Sequence, residues 1–154
     1  MKASLLALVI ATVSGSYSSG DNVGVPVEVP LGISSGQAVL LESLVVIDKD
    51  KQSKAVDLVF FDHEPVLLLG DNQPLHMASD EALHILGSVS VAAADYKVAS
   101  DQSFATKPNL QLMLRAVKDR SSSPDAKSVW VQAVAREAVT YPGNALGVRL
   151  GVQQ

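Results

Sequence analysis

The stretch LESLVVIDKDKQSKAVDLVFFD, residues 41–62, carries the densest β signal in the chain. Residues 44–47 and 55–61 read as two apolar strands joined by a charged turn over 48–54. In the second strand Val56, Leu58 and Phe60 point one way, while Ala55, Val59 and Phe61 point the other. A strand that is apolar on both faces is covered on both. In a two-layer sandwich only one face meets the core, so the other calls for a loop, the N-terminal segment or a second chain. The turn Asp48-Lys49-Asp50-Lys51 alternates in sign and lacks the D-x-D-x-D-G pattern of a calcium loop, so it reads as a solvated hairpin tip.

Downstream, Ser79 offers an N-cap, Asp80 and Glu81 suit a first helical turn, and Gly87 can end it. These residues predict one short helix near 79–86. Residues 88–93 read as a strand, and 94–108 as a long polar connection with a short strand around Phe104. Three alternating segments follow, with Leu110, Leu112, Leu114 and Ala116 on one face, then Val129, Val131, Ala133 and Ala135, then Leu146, Val148 and Leu150. Turn-forming residues 119–127 and 140–144 separate them. Upstream, Val23, Val25, Val27 and Val29 form one apolar face. Pro26 and Pro30 cannot donate to a ladder, which places that strand at a sheet edge. About eight strands at regular spacing predict an all-β antiparallel sandwich or barrel.

The N-terminus, MKASLLALVIATVSGS, imitates a secretory signal, but it has one lysine, no A-x-A-like cleavage site and an apolar run too short to span a bilayer. The expectation is a retained N-terminal arm or edge strand over 1–20, followed by one β-sandwich domain over 21–154.

Composition narrows the chemistry. With 47% hydrophobic and 18% charged residues, the 154-residue chain is apolar and short of charge, as suits either a β-rich monomer or a subunit that hides surface in an assembly. The absence of cysteine excludes disulfides, thiolate metal sites and a cysteine nucleophile. A net charge of −4 argues against nucleic-acid binding. No G-x-S-x-G elbow, phosphate-binding glycine loop or H-E-x-x-H pattern occurs, so no enzyme activity, cofactor or metal is expected. Asp62, His63 and Glu64 are read as neighbours on a strand, with side chains that diverge rather than share a metal; His76 and His84 are read as surface residues.

The segment SLVVIDKDKQSKAVDLVFFD, with SVSVAAADY at 88–96, Ala105-Thr106-Lys107 and YPGNALGVRL at 141–150, resembles small structural proteins of tailed bacteriophages. The likeness runs from Leu41 to the end of the chain. Proteins of this kind resemble capsid cement, or decoration, proteins. The resemblance implies a jelly-roll-like sandwich that binds outside an HK97-type shell, staples major capsid proteins, and forms homodimers or homotrimers. It carries no catalytic residues.

The expected role is therefore a virion component on the capsid surface, assembled in the host cytoplasm. A tail or head-completion component is an alternative. So is a secreted carbohydrate-binding sandwich using Trp130 as a platform. The interface is expected at the N-terminal arm (Leu5, Leu6, Leu8, Val9 and Ile10) and at the second face of the opening strand (Val59 and Phe61). Trp130 and the late basic residues Arg115, Arg136 and Arg149 complete the set. A separable arm predicts that deleting residues 2–13 leaves a folded sandwich.

Overall fold

The computed structural model describes residues 2–12, 15–34, 36–117, 127–143 and 146–154. Twelve strands occur among them: β1 (Ala3–Ile10), β2 (Gly15–Tyr17), β3 (Asn22–Pro30), β4 (Ala38–Asp48), β5 (Val56–Phe61) and β6 (Ile85–Val91), followed by β7 (Tyr96–Ala99), β8 (Gln102–Lys107), β9 (Leu112–Arg115), β10 (Ser128–Ala135), β11 (Val139–Tyr141) and β12 (Leu146–Gln153). The first sheet runs β1-β12-β4-β8-β7, with β9 also on β4; the second runs β3-β10-β5-β6, and β2 pairs with β11 apart from both.

Eight strands carry the architecture. Counted in chain order, the first pairs with the eighth (β1 and β12), the second with the seventh (β3 and β10), the third with the sixth (β4 and β8) and the fourth with the fifth (β5 and β6), all antiparallel. The chain is thus one long hairpin of four pairs, rolled so that successive pairs fall in opposite sheets. That is a jelly roll. The other four strands are short additions. β9 takes over from β8 along the start of β4, after left-handed backbone at Asn109 and Gln111. There Leu110 N–H donates to the carbonyl of Glu42, the extra residue of a bulge in β4.

The expected hairpin between residues 44–47 and 55–61 does not form. β4 lies in the first sheet and β5 in the second. The connection crosses the sandwich end, and Asp48 organises it rather than standing in solvent. Its carboxylate is buried and accepts from Asp50 N–H at 2.9 Å and Ser53 N–H at 2.8 Å. Lys51 and Ser53 take left-handed backbone, at φ 54° and 51°, so that the turn can close around that carboxylate. Burial, with the charges of Asp48 and Asp95, pushes the nearby Tyr96 hydroxyl well above the ordinary phenol range.

The predicted helix is also replaced. Only Glu81–His84 forms a 3-10 turn, and Ile85 already begins β6. A helix this short gains too little to repay its nucleation, whereas the same residues complete the ladder beside β5. Gly87 ends no helix; it sits opposite Phe60, where a Cβ would meet Leu112 Cδ1 at 2.7 Å. The clean valine face of β3 is interrupted as well. Val131 faces Val27 but Ala133 faces Val23, so the chain bulges opposite Gln132 and Val25 turns outward. β3 does lie at a sheet edge, as its prolines require. The later strands alternate as expected, with Leu114, Val129, Val131, Leu146, Val148 and Leu150 all buried between the sheets. The turn read at 119–127 lies outside the described residues except for Lys127, as does Asn144 of the turn at 140–144.

Candidate functional site

β1 runs antiparallel along the whole of β12, from Ala3 opposite Gln153 to Ile10 opposite Leu146. Its inner side chains, Leu8 and Ile10, belong to the main core. Its outer ones, Leu5 and Val9, remain 67% and 55% exposed. Leu6 is partly buried against the core. The N-terminal candidates therefore divide by strand alternation: Leu8 and Ile10 hold the fold, while Leu5 and Val9 are presented outward.

The register extends that outward surface across the first sheet. Leu5 lies beside Gly151 and Ser43; Ala7 beside Arg149, Val45 and Thr106; and Val9 beside Gly147, Ile47 and Phe104. Phe104 is 36% exposed, and Val45 and Ile47 are half-buried. The two glycines of β12 leave this face without side chains on either side of Arg149. Beside Gly151 lies a hollow of about 620 Å3, lined by Leu5, Val45, Ile47, Phe104, Asp101 and Arg149 among others. At Gly151 a Cβ would stand 2.3 Å from Ser43 Oγ, so that hydroxyl would have to rotate away; at Gly147 a Cβ would make ordinary contact with Ile47 at 3.5 Å. Arg149 is exposed and forms no ion pair among the described residues. Further along the same face, Met113 and Arg115 of β9 lie beside Leu40 and Ala38 and are exposed.

The second sheet treats its outer face differently. Val59 and Phe61, expected to need a neighbour, are buried with Val134 in a second apolar cluster, covered by Leu75, Met77 and Trp130. Leu75 and Met77 come from the loop over 62–80, so the chain supplies this cover itself. Val59 and Phe61 are consequently not available to a partner. Trp130 is half-buried in the same cluster rather than standing out as a platform. Arg136 is committed to Asp57 by an ion pair. The loop is fastened at its base: Asp71 accepts from Tyr17 Oη at 3.0 Å and Gly24 N–H at 2.7 Å, and Asn22 Nδ2 donates to the carbonyls of Leu69 and Gly70. Its own outer side is partly apolar, with Val66 and Leu68 exposed, as is Leu83 in the 3-10 turn that follows.

At the ends of this loop, residues read as divergent come together. Asp62 follows the last residue of β5, so strand alternation no longer separates it from His63. His63 Nδ1 lies 2.7 Å from Asp62 Oδ1, and His84 Nδ1 lies 3.0 Å from the same oxygen. The two rings meet edge to face with centroids 4.2 Å apart. On its other side, His63 Nε2 is 3.3 Å from Glu81 Oε2. One ligand atom from each of Asp62, His63 and His84 falls within 4.8 Å of the others. Glu64 and His76 are exposed and take no part. The signal missed in the sequence was the 3-10 turn, which carries Glu81 and His84 back over the end of β5.

The chain matches no protein-family profile and no curated protein sequence. Among solved structures it is similar to a chain of Desmodium yellow mottle tymovirus, at 13% identity over 98% of this chain and 85% of that one, with a TM-score of 0.28. It is also similar to the VP2 subviral particle of infectious bursal disease virus, at 15% identity over 98% of this chain and 41% of that one, with a TM-score of 0.22. At such TM-scores neither likeness supports an argument about function, and none is built on it.

Proposed function

We propose that the protein is a virion structural component, a capsid cement or decoration protein that seats the open face of its first sheet on an HK97-type shell and stabilises contacts between major capsid subunits. The observation that carries this reading is the hollow between β1, β12, β4 and β8, where Leu5, Val45, Ile47 and Phe104 stand with Arg149, which forms no ion pair among the described residues. An apolar field around a single arginine suits a protein partner that supplies apolar side chains and one carboxylate. A jelly roll gives that face a rigid support, and repetition by shell symmetry multiplies modest contacts into firm attachment. The resemblance to phage cement proteins read from Leu41 to the end of the chain, though no family profile matches, is in keeping with this reading. On this reading the protein acts as a homodimer or homotrimer on the capsid surface after assembly in the host cytoplasm, without enzymatic activity, nucleic acid or membrane. Among the described residues no helix is long and apolar enough to cross a membrane.

The test is co-sedimentation of purified protein with empty expanded heads. The wild type binds; Leu5→Ser with Phe104→Ser, and separately Arg149→Glu, stay folded and lose attachment at least tenfold. A wild-type protein that remains monomeric and fails to bind heads overturns the reading. Binding to isolated tails or connectors in place of heads replaces it with a tail or head-completion role.

A further inference from the structure

We propose that Asp62, His63 and His84 bind one divalent transition-metal cation of the Zn2+ class, with Glu81 holding His63 in the ligating tautomer. The proposal is independent of the capsid role, because the cluster lies at the tip of the long hairpin and lines neither the hollow on the first sheet nor the smaller cavity beside Gly24.

The argument starts from His63. Its two ring nitrogens each face a carboxylate, Asp62 through Nδ1 and Glu81 through Nε2. A neutral imidazole has one N–H and one lone pair, so it can donate to only one of them. A cation resolves the conflict. With the proton on Nε2 donated to Glu81, the Nδ1 lone pair is free to ligate beside Asp62 Oδ1, 2.7 Å away, in the carboxylate–histidine–metal relay that orients many bound imidazoles. His84 Nδ1 points at the same place, 3.0 and 3.3 Å from the two Asp62 oxygens. Ligands about 2.0–2.1 Å from a tetrahedral Zn2+ lie about 3.3 Å from one another, so the two ring nitrogens, now 2.7 and 3.0 Å from Asp62 Oδ1, would need to part by only a few tenths of an ångström to admit one. Charge agrees as well: the two carboxylates balance one dication when both imidazoles are neutral.

The donors are held rather than merely adjacent. Asp62 N–H donates to the carbonyl of His84, and Val117 N–H donates to that of Asp62. Val66 N–H donates to Glu81 Oε2, which fixes the second carboxylate. The side chains of Asp62, His63 and Glu81 are only 12–16% exposed, and that of His84 35%. Two nitrogens and one oxygen without thiolate suit Zn2+ or a neighbouring first-row dication better than Ca2+ or Mg2+, which prefer all-oxygen shells. Three protein ligands leave a fourth position for water. The cation would clip the 3-10 turn to the end of β5 and so secure the loop that covers Val59 and Phe61.

The test uses the untagged full chain, stripped with a chelator and titrated with Zn2+ alone by calorimetry, with Co2+ as the spectroscopic probe. The expected results are one equivalent per chain, the visible absorption of four-coordinate Co2+, and a rise in the thermal midpoint with added Zn2+. His84→Ala abolishes the Co2+ absorption, and Glu81→Gln weakens Zn2+ binding about 10–100-fold. Circular dichroism of each variant establishes that it folds. No saturable binding by the wild type overturns the proposal and leaves the cluster a hydrogen-bonded staple. Binding that persists in both His63→Ala and His84→Ala overturns it too, because the cation then sits elsewhere.

Discussion

The two outer faces of this jelly roll have similar apolar content and opposite fates. On the second sheet, Val59, Phe61, Val134 and Trp130 are roofed by Leu75 and Met77 from the chain's own loop. On the first sheet, Leu5, Val9 and Phe104 have no such roof among the described residues, and a hollow opens beside Gly151. An apolar strand face thus says that cover is needed and leaves open who provides it. The loop over 62–80 is long enough to fold back on its sheet, where the isolated bridge between Leu67 and Met77 and the contacts of Asn22 and Asp71 pin it. Among the described residues no comparable segment folds back over the first sheet's hollow.

The most severe way to break this contrast is to remove β1. Deleting residues 2–10 strips Leu8 and Ile10 from the core and bares the edge of β12. The deleted protein is expected to be unfolded by circular dichroism and size-exclusion chromatography. A folded product would show that β1 is the separable arm the sequence suggests. Next comes a matched pair. Phe61→Ala removes a fully buried ring and is expected to cost about 3–5 kcal/mol in urea unfolding. On the open face, Gly147→Val should stay within about 0.5 kcal/mol of the wild type, because a Cβ there makes only ordinary contact with Ile47. Equal stability losses in the two variants would erase the distinction between the faces.

The smallest effect belongs to neither face. Ala55 N–H and Lys54 hold the Glu137 carboxyl below its ordinary range, and Lys107 with Ala92 N–H does the same for Asp95. A depressed carboxyl contributes stability above its unfolded value and loses it as pH falls through the folded one. The urea midpoint should therefore decline slightly as pH drops below about 4, and Glu137→Gln should flatten that decline.

Much of the fold was legible in local pattern. Alternation in residues 110–116, 129–135 and 146–150 placed Leu114, Val131 and Leu150 in the core, and Pro26 and Pro30 marked β3 as an edge. The failures arose where a local reading met a long-range partner. Residues 44–61 resembled a hairpin because apolar runs flank a charged turn, yet the buried carboxylate of Asp48 turns the chain from one sheet to the other. Residues 79–86 resembled a helix because capping and charge suited one, yet β5 recruited Ile85 onward as its neighbour. Of the interface candidates, alternation along β1 separates the outward Leu5 and Val9 from the buried Leu8 and Ile10. Only the loop's return explains why Val59 and Phe61 are closed off.

The periodicity of the chain determined its all-β class and which side chains of most strands face inward, because side-chain direction in a strand is a local property with period two. Tertiary structure alone decided which strands pair, which doubly apolar face is roofed, and that Asp62, His63, Glu81 and His84 meet. Those outcomes depend on closing loops between distant residues, and single-sequence alternation contains no information about where such loops end.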